Sequence, residues 1–96
     1  MILTGKALED FTQWNSNKQF DMMLPFEYPT YLNALIIEWL DSVGVYIEIF
    51  NEFGDFGMSI HRGSYKNPIE SIGHWKTRQE ATEQAIIKAN DIYNER

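Results

Sequence analysis

Glu38, Asp41, Glu48, Glu52 and Asp55 crowd one stretch of the chain. Paired carboxylates perform acid–base chemistry when burial raises the pKa of one and its neighbour stays charged. On an open sheet face the same groups merely keep the protein soluble. Left exposed together, they present an acidic surface suited to a basic cleft in a partner. Other chemistry is poorly supplied. Ser42, Ser59, Ser64 and Ser71 sit in no Gly-x-Ser-x-Gly context, and no phosphate-cradling glycine pattern occurs. His61 and His74 have no metal-ligand spacing, and there is no cysteine to complete a zinc site or a disulfide. The expectation is a protein that is not an enzyme and takes no cofactor or metal. A small hydrolase using the clustered carboxylates is the weakest of the alternatives.

Aromatic residues add a second signal. Three Trp, five Tyr and six Phe are more than a core of this size readily hides. Phe50, Phe53 and Phe56 are spaced around the turn-like segment Phe50–Gly57, so at least one of them is expected to protrude. Protein interfaces use aromatic anchors beside charged rims. Glu48, Glu52, Phe53, Asp55 and Phe56 are therefore the candidate partner-binding residues.

The positioning elements follow from periodicity. Val43, Val45, Ile47 and Ile49 alternate with Gly44, Tyr46, Glu48 and Phe50, which reads as a strand with one buried face. Asp41-Ser42-Val43-Gly44 carries turn chemistry. Leu32–Leu40 fits either a helical stripe or a strand. The isoleucine pair, Trp39 and the turn signal favour a strand, which makes a central hairpin hinged at Asp41–Gly44. Phe56, Met58 and Ile60 mark a further strand. Ile69–Trp75 forms another, with Ile72 facing inward and Gly73 at a bend or bulge. Phe20–Tyr31, interrupted by Pro25 and Pro29, reads as a connection over the core that ends in a short edge strand.

Helices flank the sheet at both ends. Thr4 caps one starting near Gly5, with Ala7, Leu8, Phe11 and Trp14 close to one face. Thr77-Arg78-Gln79-Glu80 is a capping box, and Ala81, Ala85, Ile86, Ala89, Ile92 and Tyr93 then share one side. The expected fold is α+β: an N-terminal helix, an antiparallel sheet of three to four strands built on the central hairpin, and a C-terminal helix packed on one face.

Ninety-six residues make a single domain, 1–96. The net charge of −6 is uneven: residues 1–60 hold nine acids against Lys6 and Lys18, a balance of −7. Such a chain repels phosphate, which disfavours direct binding to nucleic acid. No apolar run approaches the ~20 residues that span a bilayer, and the N-terminus lacks a secretory leader pattern. A soluble cytoplasmic protein is expected.

Leu3-Thr4-Gly5-Lys6-Ala7 with Glu9-Asp10-Phe11 and Trp14, Leu24-Pro25-Phe26, Asp41–Ile47, Arg78-Gln79-Glu80-Ala81 and Ala85–Asn94 together carry a resemblance. Over about half its length the chain resembles a group of short uncharacterised proteins encoded by bacteriophages and by bacteria that carry prophages. Phe50–Lys76 lies outside the resemblance. The resemblance carries no catalytic motif; what it implies is a setting, since small phage proteins are often inhibitors of host defence, anti-CRISPR proteins among them. The expected function is therefore a phage-type inhibitor of a host-defence protein, in the cytoplasm of the host bacterium. Its partner would be a host protein such as a nucleic-acid-binding effector with a basic cleft. The alternative is a phage accessory or regulatory protein acting as a homodimer through its sheet edge or Met/aromatic surface.

Overall fold

The protein is seen as a computed structural model that describes residues 2–18, 29–63 and 68–95. Two helices, α1 (Gly5–Lys18) and α2 (Pro29–Ser42), precede strands β1 (Val45–Glu52), β2 (Asp55–Arg62) and β3 (Pro68–Trp75), and α3 (Arg78–Asn94) follows. The strands form one antiparallel sheet in the order β1-β2-β3. Helix α3 lies on the sheet, α2 packs beside it against β1, and α1 rests on α3 and α2. The α+β arrangement expected from periodicity is the one observed.

Alternation places the strand faces as expected. Val45, Met58 and Ile60 are buried, and Ile47, Ile49 and Trp75 pack against the same core. Cross-strand pairs Ile47–Ile60 and Ile49–Met58 build the helix-facing side. Tyr46, Glu48 and Phe50 take the other side.

Leu32–Leu40 is helical, which corrects the expected strand and with it the hairpin hinged at Asp41–Gly44. The deciding signal is the stripe Leu32, Leu35, Ile36, Trp39 and Leu40, all buried, while Ala34 and Glu38 are exposed. Pro29 occupies the first helical position, where its missing N–H costs nothing. The Asp41–Gly44 turn chemistry ends this helix instead. The Val43 and Gly44 amides donate back to Trp39, Leu40 and Asp41 carbonyls, and Gly44 takes φ 82°. The hairpin belongs to β1 and β2, closed by Phe53 and Gly54.

Two smaller points concern the edges. Ile72 pairs with buried Met58 on the helix-facing side as expected, but is 42% exposed, because β3 is the outer strand of the sheet. Pro29–Tyr31 starts α2 rather than forming an edge strand, whereas Phe20–Tyr28 lies outside the described residues.

The helix starts are held differently. Thr77 caps α3 as its sequence requires: its hydroxyl oxygen accepts from the Glu80 amide at 3.1 Å, and the hydroxyl lies 3.2 Å from Glu80 Oε1. Helix α1 begins at Gly5 as expected, but its exposed amides are met from across the molecule. Asn94 Oδ1 accepts from the Ala7 amide at 2.8 Å, and Asn94 Nδ2 donates to the Thr4 carbonyl at 2.9 Å. Asn90 Oδ1 accepts from the Thr4 amide at 2.9 Å, while its Nδ2 donates to the Thr4 hydroxyl at 3.1 Å. Gly5 is suited to this contact, because it has φ 60° and a Cβ there would stand 3.2 Å from Asn94 Nδ2.

Aromatic rings continue the seam between the helices. Phe11 meets Trp39 edge-on at 5.9 Å, and Trp39 meets Tyr93 at 4.9 Å. The Tyr93 hydroxyl donates to Asp10, which also pairs with Lys6 at 3.2 Å. Tyr93 first, then Lys6, hold the Asp10 carboxyl below its usual range against an opposing desolvation.

Replacing Asn94 by Ala leaves the Ala7 amide and the Thr4 carbonyl without their partner. Its expected cost is about 1–2 kcal/mol in urea denaturation. The Asp10 contribution has a defined sign. A carboxyl whose folded pKa is depressed stabilises the fold above its unfolded pKa of about 3.9, and this is lost as pH falls through the folded value. Tyr93→Phe should therefore flatten the acid limb of the melting-temperature profile below pH 4 relative to wild type.

Candidate functional site

The β1–β2 turn is two residues long. Glu52 pairs with Asp55 at its base, and both turn residues have positive φ, 53° at Phe53 and 87° at Gly54. This is the type I′ pattern that matches strand twist, for which Asn-Gly is the favoured sequence. Phenylalanine at the first position is costly, because an L residue with a Cβ is strained in the left-handed region. The Phe53 ring gains nothing in return from the fold: it is 98% exposed.

The structure gathers Glu52, Phe53, Asp55 and Phe56 around a shallow cleft of about 220 Å³ beside the turn. Phe50, Gly57, Gly73 and His74 complete its lining. Glu48 is not brought in; it is exposed on β1, opposite Ser59. Phe50, Gly57, Gly73 and His74 were noted in the sequence but not as candidate partner-binding residues. Only the glycines carried a legible signal, since glycine inside a strand marks a bulge or a close approach. That approach is specific at Gly57, where an added Cβ would fall 2.6 Å from the Phe50 ring and 2.9 Å from the Ile72 carbonyl. Phe50 thus lies across its cross-strand partner Gly57.

Electrostatics at the cleft are acidic, with two basic residues at its border. Asp55 pairs with Lys76 at 3.3 Å on the surface, a bridge worth at most about 1 kcal/mol. Arg78, at the start of α3, places its guanidinium 5.2 Å from the Phe56 ring centroid. Glu52 is exposed on the opposite side of the turn.

The other two carboxylates lie elsewhere. Glu38 and Asp41 occupy the last turns of α2. Asp41 is raised above the usual carboxylate range, chiefly by desolvation and secondarily by Glu38. Among the described residues, no three His, Cys, Asp or Glu side chains are grouped to hold a metal. Among them also, no helix is long and apolar enough to cross a membrane. A wider groove of about 370 Å³ runs between α2 and α3, with Ala34 and Ile37 in its lining and Arg78 as its charged residue. It lacks the carboxylates and phenylalanines of the hairpin cleft.

Because Phe53 contributes no buried area, Phe53→Ala should leave the melting temperature unchanged, and Phe53→Gly should leave it unchanged or raise it by relieving the positive φ. A loss near the about 3–5 kcal/mol of a core Phe→Ala would place the ring in the core instead. No protein-family model, no curated protein and no solved structure matches this chain.

Proposed function

We propose that this protein is a non-enzymatic binding protein that docks the tip of its β1–β2 hairpin on a basic surface of a protein partner. One observation carries the reading: Phe53 is both strained and 98% exposed. Folding alone favours neither property. A protruding aromatic flanked by Glu52 and Asp55 has the make-up of an interface anchor with a charged rim. The acidic balance of residues 1–60 favours a partner with positive potential. The resemblance to small phage proteins suggests the setting: inhibition of a host-defence protein, in the manner of anti-CRISPR proteins, by occupying a basic nucleic-acid channel.

The test uses immobilised wild-type protein and two variants against lysate of a candidate host, followed by kinetics on the captured partner. Charge at a rim mainly sets association rate, and a buried anchor sets residence time. Glu52→Lys with Asp55→Lys should slow association, most visibly at low salt. Phe53→Ala should raise the dissociation rate and cost about 2 kcal/mol. Equal capture and equal kinetics by wild type and both variants would remove the hairpin tip from the interface. Concentration-dependent dimerisation in gel filtration, abolished by substitutions on the β1 edge and not by Phe53→Ala, would favour the accessory homodimer.

A further inference from the structure

We infer that the cleft beside the hairpin turn is a receptor for an arginine side chain of the partner. The inference rests on the hairpin-docking reading and adds the chemical group that the site takes. Three observations meet in one place.

The first is composition. The lining combines phenylalanine rings with the carboxylates Glu52 and Asp55. A guanidinium satisfies both at once, because it lies over an aromatic face while its edge donates hydrogen bonds to carboxylate oxygens. A neutral apolar group would leave Glu52 partly desolvated and without a cation, which is unfavourable.

The second is strain. Among the described residues, only two non-glycine residues have positive φ: Phe53 at 53° and His74 at 90°. Both line this cleft, although they come from the β1–β2 turn and from β3. Backbone strain of this kind concentrates where a site is shaped for a ligand. Gly57 and Gly73 lie in the lining, and the Phe50 ring rests on Gly57 where a side chain would otherwise stand.

The third is an intramolecular precedent at the border of the same cleft. Arg78 already stands 5.2 Å from the Phe56 ring centroid, and Lys76 already pairs with Asp55. Phe53 and Glu52 carry no such cation in any hydrogen bond or ring contact among the described residues. They are the half of the site left for an incoming arginine.

The probe is N-acetyl-arginine amide, titrated into the full ¹⁵N-labelled chain and followed by amide chemical shifts. N-acetyl-citrulline amide, its neutral near-isostere, is the control. Expected are saturable shifts at residues 50–57 and at Gly73 and His74, with affinity about tenfold above that of citrulline. Phe53→Ala and Glu52→Gln should each weaken the arginine response, whereas Glu9→Gln on α1, which removes the same charge elsewhere, should not. Indistinguishable arginine and citrulline titrations would overturn the inference, as would equal weakening by Glu9→Gln and Glu52→Gln. If arginine is ignored while partner binding still depends on Phe53, the arginine receptor falls and hairpin docking stands. If arginine binds at the cleft while partner binding ignores Phe53, the receptor stands and the docking mode falls.

Discussion

Close approach of α3 to the rest of the molecule is the constraint on which the structure depends. The helix touches the sheet and both other helices. Ala81, Ala85 and Ala89 recur every four residues along its inner side and have no exposed surface. Short side chains let the helix backbone settle onto β1 and β2, where Met58, Ile60 and Val45 fill the space between. A larger residue at any of the three would lift the helix and loosen all its neighbours together. From that seat Tyr93 reaches Trp39 on α2, while Asn90 and Asn94 reach the start of α1.

Much of this was legible because it is local. The capping box at Thr77, the alanine stripe and the alternation over Val45–Phe50 each depend on residues a few positions apart, and each is found where periodicity puts it. Leu32–Leu40 misled because a continuous apolar run satisfies both periods, and the following turn signal suits a helix end as well as a hairpin. The β1–β2 hairpin was legible as turn chemistry between two alternating runs, although Phe53 at its tip is a residue that the turn type does not favour. What could not be read were matches between distant parts. Nothing in Asn90 or Asn94 announces a cap for a helix more than eighty residues away. Asn15, fully buried on α1, carries no sequence cue to its burial either. For the site, the aromatic and acidic residues of the turn were visible, but the strained His74 and the ring of Phe50 laid on Gly57 exist only in three dimensions.

The site and the core draw on separate residues. Phe53, Glu52 and Asp55 lie at the far end of the hairpin and take no part in the buried cluster. Surface residues of this kind tolerate change at little cost to stability. The connection between the two regions is Phe56 in β2, which lines the cleft and carries Arg78 from the first turn of α3 against its ring. The seat of α3 therefore bears on one wall of the cleft.

The asparagine bonds from α3 to Thr4 and Ala7 also govern the order of assembly. They close a loop of nearly the whole described chain, and closing so long a loop has an entropic cost that only an already folded platform offsets. The sheet hairpin and the β3–α3 segment are built from nearer neighbours and form on shorter loops. Among the described residues, the backbone of α1 lies beside α2 and α3 and not beside the sheet. On this reasoning α1 is expected to join after the sheet and α3 have formed the surface that Ala7 and Phe11 cover. Hydrogen exchange would accordingly run faster along α1 than along β2, and the hairpin would keep its shape through openings of α1.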